Sequence, residues 1–186
     1  NRYLTERNVD EKKLVAVVPG GGASWGGHAG RKRWGTAQFG FIGKKLAEEG
    51  YQVAILGDSY EKGLCEEVGS AMEGKNVLIE NGLDIERYIA LINKCRLLIC
   101  NDGGPLHIGV ALGKRTVSVF GPVSPEVYGP YPAGDKHMVF VNPMADCRPC
   151  YDRFRLPECS RDMACLTGVD EMAVLTGCRE MLKERE

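Results

Sequence analysis

At 186 residues, with 44% hydrophobic and 26% charged residues, the chain has the size and composition of one α/β domain that buries its own core. A formal net charge of -1 excludes a broad basic surface for nucleic acid, and the Arg31-Lys32-Arg33 cluster is too short to supply one. No apolar run approaches the roughly 20 residues that cross a bilayer, and Asn1 to Lys13 carries no signal-peptide core.

Taken in order, residues 1–13 read as the remnant of a linker between two domains, and residues 14–186 as a single domain. Leu14 to Val18 is an apolar run of the buried parallel-strand kind, ending at Pro19-Gly20-Gly21-Gly22. Trp34, Ala37, Phe41, Ile42 and Leu46 recur at helical spacing up to Glu49, and Gly50 supplies the stop. Tyr51 to Leu56 is a second strand, followed by Gly57-Asp58 and a charged helix from Ser59 to Met72. Asn76 to Ile79 is a short strand, and Asp84 caps a helix running to Asn93. Arg96 to Cys100 is an apolar strand ending at Asn101-Asp102-Gly103-Gly104-Pro105; a short helix to Leu112 and a strand from Arg115 to Phe120 follow. Gly121 to Lys136, with Pro122, Pro125, Pro130 and Pro132, reads as an extended surface loop. His137 to Val141 is a last strand, 143–168 a cysteine-containing loop, and 169–184 a terminal amphipathic helix. Strands alternating with helices predict a Rossmann-like α/β fold, a parallel sheet with helices on both faces.

In such sheets ligands bind beyond the carboxyl ends of the strands, where two glycine-rich turns fall. Gly103 and Gly104 let backbone approach a ligand, Pro105 suits the first turn of a helix, and the free N–H groups there favour a diphosphate. His107 lies in the same turn and is placed to donate to that anion. Asp102 is read either as receiving backbone N–H groups and holding the turn, or as accepting from a ligand hydroxyl or amine. Around Gly20-x-Gly22, the position where a dinucleotide fingerprint needs its last small residue holds Trp25, which disfavours an NAD site.

The run Asn101-Asp102-Gly103-Gly104-Pro105-Leu106-His107, continued through Gly113-Lys114 to Phe120-Gly121-Pro122, resembles the signature of glycosyltransferase family 9, the lipopolysaccharide heptosyltransferases and their relatives. Pro19-Gly20, Lys32-Arg33-Trp34, Gly57-Asp58 and Cys147-x-x-Cys150 add to the resemblance, and Gly103 departs from it where members commonly carry Thr. The resemblance implies the C-terminal half of a two-domain GT-B fold. It implies an inverting transfer, free of metal and cofactor, from a nucleotide-diphosphate sugar such as ADP-heptose. The acceptor, a lipid-linked saccharide, and the general base would belong to the missing N-terminal domain. It makes Lys32 the donor-binding cation, with Arg33 and Arg31 as competitors, and Glu61 or Asp58 the acid that holds the ribose. Gly20 belongs to the same donor site. The chain alone is then an inactive fragment of a cytoplasmic enzyme, met by its lipid-linked acceptor at the inner face of the membrane.

Each assignment has a plainer rival. Asp102 could be a turn former, His107 a core or capping histidine, Lys32 and Arg33 solvated charges, Trp34 helix packing in place of a base-stacking platform, and Glu61 a helix-face charge. Cys147, Cys150, Cys159 and Cys165 fit either a zinc staple or ordinary thiols and disulfides, because the second C-x-x-C of a two-knuckle site is absent. Arg148, Tyr151, Asp152, Arg153 and Arg155 are expected to face the cleft between domains. Two other functions compete: another GT-B-like enzyme such as a nucleotide-sugar epimerase, and a non-catalytic nucleotide-binding module.

Overall fold

A computed structural model describes residues 4, 6–21, 23–74 and 76–183. Parts of the expected linker (1–3 and 5), Gly22 in the first glycine turn and residue 184 at the end of the expected terminal helix lie outside the described residues. Six parallel strands form one sheet: β1 (Leu14–Val18), β2 (Gln52–Gly57), β3 (Val77–Asn81), β4 (Leu97–Asn101), β5 (Arg115–Val119) and β6 (His137–Phe140). Their order is β3-β2-β1-β4-β5-β6. The chain builds one half of the sheet outward from β1, then returns to place β4 on the other side of it. The connections therefore diverge between β1 and β4, which opens a crevice at their carboxyl ends.

Because side chains alternate across a strand, each strand feeds two cores. Val15 and Val17 of β1 point to one face, where they meet helices α1 (Thr36–Glu48), α2 (Lys62–Ala71) and α7 (Glu171–Leu182). Leu14, Ala16 and Val18 point to the other, against α3 (Ile85–Lys94) and α4 (Gly104–Ala111). Leu4, in the segment expected as a linker, is buried in this second core.

The buried face of α1 is Phe39, Gly40, Ile42, Gly43, Leu46 and Ala47, rotated from the Ala37–Phe41 edge that the apolar spacing suggested. The glycines explain the rotation. A Cβ on Gly40 would strike Ala71, and one on Gly43 would strike Met72 Sδ, so their absence lets α1 and α2 approach closely. The expected punctuation holds: Asp84 accepts the Arg87 N–H at 2.8 Å and caps α3, and Gly50 adopts φ +92° just past α1.

Two expectations need correction. Residues 121–136 are not wholly extended, because Ser124 accepts the Glu126 N–H at 3.2 Å and starts a short helix α5 (Pro125–Tyr128) with Pro125 in its first turn. The cysteine segment likewise carries α6 (Ala164–Thr167), which takes Cys165 out of the loop and into the core.

Cys65, Cys95, Cys100 and Cys178 are buried as small apolar residues. Burial pushes the Cys65 thiol up to about 12 and that of Cys95 to about 11, from an ordinary 9.0, and raises Cys100 and Cys178 as well. Above pH 9 the unfolded chain releases thiol protons that the native state keeps, so stability falls as pH rises. Each such thiol steepens the loss by at most about 1.4 kcal/mol per pH unit. Urea midpoints are expected to drop sharply between pH 9 and 11, and less sharply in Cys100→Ala; a flat profile over that range contradicts this account.

Candidate functional site

The crevice is tied shut at its base by Asn101, the last residue of β4 and 2% exposed. Its amide Nδ2 donates to the carbonyls of Pro19 (2.8 Å) and Gly20 (3.1 Å), and its Oδ1 accepts the Trp34 N–H at 2.8 Å. One side chain thus joins the end of β4 to the turn after β1 and to the start of α1. Between those points a tight 3-10 segment (Ala23–Lys32), broken by Gly26 at φ +54°, carries the chain across the mouth of the crevice.

Lys32 ends that segment. Its Nζ lies 2.5 Å from Asp102 Oδ2 and 4.5 Å from the centre of the Trp25 ring. Both partners of the pair are nearly buried, with side chains 11% and 5% exposed. Asp102 does not hold its turn through backbone N–H groups; its carboxylate holds the ammonium in place, and its own N–H donates to Val119 O at 3.1 Å. The first turn of α4 follows at once. Gly103 precedes the helix with no side-chain cap, and Pro105 stands in the first turn. A cation held by a carboxylate therefore faces helix N–H groups that no side chain covers.

Two cavities meet at this point. The smaller, about 420 Å³, lies towards β2 and is bounded by Asp58, Glu61, Leu83, Tyr88 and Ile108. The larger, about 840 Å³, lies towards the cysteine loop and is bounded by Trp25, His28, His107, Tyr128, Tyr151 and Arg155. Lys32, Gly103 and Gly104 line both. Tyr151 stacks on Trp25 with ring centres 4.6 Å apart, and Tyr128 packs edge-on against Tyr151 at 5.9 Å, so the outer wall of the larger cavity is aromatic.

On the other side, Asp58 and Glu61 form a reciprocal cap at Ser59–Glu61: Asp58 Oδ1 accepts the Tyr60 and Glu61 N–H groups, and Glu61 Oε2 accepts the Asp58 N–H. Glu61 is buried, and its Oε1 also accepts the Gly21 N–H at 2.6 Å. Arg33 completes this brace by donating to Gly21 O (2.9 Å) and Glu61 Oε1 (3.3 Å). Gly20 is required here by space: a Cβ would occupy the position of the Glu61 carboxyl.

With this geometry in place, the comparison with known proteins is decisive at the level of family. The model of glycosyltransferase family 9 (heptosyltransferase) matches residues 2–159. The chain belongs to glycosyltransferase family 9. Lipopolysaccharide heptosyltransferase 2 of Escherichia coli K12 is 29% identical to this family 9 chain over 126 residues, 64% of the chain and 34% of that protein. Lipooligosaccharide heptosyltransferase 2 of Campylobacter jejuni serotype O:6 is 26% identical over 172 residues, 89% of the chain and 52% of that protein. The solved E. coli ADP-heptose LPS heptosyltransferase II superposes with a TM-score of 0.75 at 20% identity, covering 97% of this chain and 50% of that one. The family 9 chain spans between about a third and a half of these relatives, and its sheet is one Rossmann-like half of a GT-B fold.

Of the residues singled out from sequence, the family 9 structure brings Lys32, Asp102, Gly103, Gly104 and His107 to the larger cavity, and Asp58, Glu61 and Pro105 to the smaller. Arg33 and Gly20 sit behind this surface, as parts of the Glu61 brace. His107 is exposed in the cavity wall, not packed in the core as its plainer reading had it. Arg31 is turned away as well, donating to Pro157 O at 2.5 Å. Trp34 is 2% exposed and packs edge-on against Phe39, in its packing role. Of the five residues expected to face the cleft, Tyr151 and Arg155 line the larger cavity. Arg148 instead points inward to Gly121 O (2.8 Å) and Val123 O (3.3 Å), while Asp152 and Arg153 are exposed and pair with each other. Cys147 and Cys159 are exposed, Cys150 half-buried and Cys165 buried; among the described residues no three His, Cys, Asp or Glu side chains converge on a point that would hold a metal.

Sequence reasoning missed Asn101, Trp25 and His28. Asn101 carried a usable signal, an amide ending an otherwise apolar buried strand. Trp25 and His28 carried none, since the 3-10 segment has no hydrophobic period.

Gly103 is not demanded by its backbone. Its φ of 160° is extended, and an added Cβ would meet only Pro105 Cδ at 3.7 Å. Gly103→Thr is therefore expected to leave the thermal midpoint unchanged or slightly raised. Its hydroxyl, added beside Lys32, is expected to tighten nucleoside diphosphate binding about fivefold, or ~1 kcal/mol. Calorimetry on the variant checks both; a fall in midpoint or in affinity contradicts this geometry.

Proposed function

We propose that this chain provides the donor half of a glycosyltransferase site and binds a nucleotide-diphosphate sugar, ADP-heptose or a close analogue, for inverting transfer to a lipopolysaccharide-type acceptor. The observation that carries the reading is the meeting of two cavities at Lys32, Gly103 and Gly104. A nucleoside fits the smaller, with Asp58 and Glu61 beside its ribose and Leu83, Tyr88 and Ile108 against its base. The diphosphate lies where the cavities join, and the sugar enters the larger. The names of the relatives, heptosyltransferases 2 of E. coli and C. jejuni, support heptose as that sugar.

Transfer breaks the bond between the sugar and the diphosphate, so negative charge grows on the leaving group. Lys32, the α4 N-terminus and His107 are placed to meet that charge with donors already in position, which is where such catalysis gains most. Asp102 keeps the Lys32 ammonium aimed at the junction. The general base that activates the acceptor belongs to the other half of the cleft, and the acceptor is a lipid-linked saccharide reached at the inner face of the membrane. Among the described residues no helix is long and apolar enough to cross a bilayer. An epimerase would need a carboxylate pair about the sugar, and Asp102 is the only acid among the described residues lining the larger cavity.

Titration of the chain with ADP, GDP, UDP and NADH tests the reading. One nucleoside diphosphate is expected to bind selectively and NADH not at all. A preference for NADH, or no diphosphate binding, overturns it. Binding retained by an intact enzyme that transfers no sugar would favour a non-catalytic nucleotide-binding module.

A further inference from the structure

The opposite end of the sheet carries a second concavity of similar size, about 830 Å³, under the amino ends of the adjacent strands β1, β4, β5 and β6. Lys12, Lys94, Arg96, Lys114, Arg115 and Lys136 line it, and Glu11 is the only acid among the described lining residues. The whole chain holds 24 basic and 25 acidic residues, so this six-to-one ratio is a local concentration. Lys94, Arg96, Lys114 and Arg115 are half-buried. Partial burial in a concave wall removes water from these cations without separating them, which favours an anion in their midst.

Several of these groups are already fixed in position. Arg115 donates to Met181 O (2.6 Å) and Lys183 O (3.0 Å), and Arg96 donates to Leu182 O (2.9 Å) and Lys12 O (3.1 Å). Both therefore cap the last carbonyls of α7, as cations favour. Lys114 donates to Asn93 O at 2.7 Å. The main-chain carbonyls that hold Arg115 and Lys114 carry no net charge to cancel theirs. Lys94 pairs with Glu11 at 2.9 Å. Lys12 and Lys136 stand exposed at the rim.

We propose that this basic concavity is an anion site, separate from the donor crevice, that takes a diphosphate or a cluster of phosphate esters. Two sources share that chemistry: a soluble phosphorylated compound and the headgroups of an anionic membrane. The proposal does not depend on the donor-site reading, because the two sites lie at opposite ends of the strands.

The test uses the chain with Lys12→Glu and Lys136→Glu combined, since both residues are at the rim and neither supports α7. Inorganic pyrophosphate is titrated calorimetrically, and sedimentation is measured with vesicles of phosphatidylglycerol mixed into phosphatidylcholine. The parent is expected to bind at least one probe, and the double variant to bind it roughly tenfold or more weakly, with an unchanged thermal midpoint. Loss of pyrophosphate binding identifies a soluble ligand, and loss confined to vesicles identifies a membrane. Failure of the parent to bind either probe overturns the proposal. So does binding that the double variant keeps, which would place the anion elsewhere, such as at Lys32.

Discussion

Lys32→Ala is expected to weaken nucleoside diphosphate binding by about a hundredfold, or ~2.7 kcal/mol. The effect has two parts. The variant removes a cation from the junction of the two cavities, and it leaves Asp102, 3% exposed, as an uncancelled carboxylate facing an anionic ligand. The second part makes a specific demand on the double variant. With Asp102→Asn added, the repulsion disappears, so Lys32→Ala/Asp102→Asn should bind more tightly than Lys32→Ala alone by about tenfold. Asp102→Asn by itself should cost less than Lys32→Ala, because the ammonium remains although less firmly aimed. Calorimetric titrations of the three variants against the parent close the cycle. Lys32→Ala binding within threefold of the parent would remove Lys32 from the site, and additive effects would remove the coupling.

Asn101→Ala is expected to be the most destabilising single change near the crevice, at about 3 kcal/mol. Its amide makes three hydrogen bonds to main-chain groups at Pro19, Gly20 and Trp34, and at 2% exposure the site is closed to bulk solvent. Truncation leaves those polar groups unpaired and opens a small void between β1 and β4. For a domain of this size the loss corresponds to roughly 6–12 °C in thermal midpoint. The same measurement on Asp84→Ala gives a scale, because that exposed cap should cost only about 1 kcal/mol. A smaller drop for Asn101→Ala than for Asp84→Ala would mean that other contacts hold the crevice closed.

Much of the fold could be read from local pattern. Runs such as Leu14–Val18 and Leu97–Asn101 are apolar because both faces of a central parallel strand are covered, and the caps at Asp84 and Gly50 act within a few residues of where they stand. What escaped reading depends on distant partners. Glu61 looks like a surface helix charge until Gly20, far upstream, is seen to leave room for its carboxyl and Arg33 to brace it. Arg33 and Lys32 are adjacent cations of like chemistry, and only the fold sends one to the brace and the other to the cavities. Gly103 and Gly104 line both cavities, yet neither backbone conformation requires glycine there. The aromatic wall of Trp25 and Tyr151 joins two segments without regular periodicity, so nothing local announced it.

Four consecutive residues reach three different parts of the molecule. Arg31 grips Pro157, Lys32 meets Asp102, Arg33 holds Gly21 and Glu61, and the Trp34 amide is bound by Asn101. Each bond depends on which way its residue faces, and the direction changes at every step. The stretch therefore tolerates exchange of a side chain far better than a change in length. One inserted residue would pass every side chain to its neighbour's address, releasing the cysteine loop, the Lys32–Asp102 pair, the Glu61 brace and the base of the crevice in a single event. Divergence here should proceed by replacement, with insertions and deletions diverted to the turns on either side.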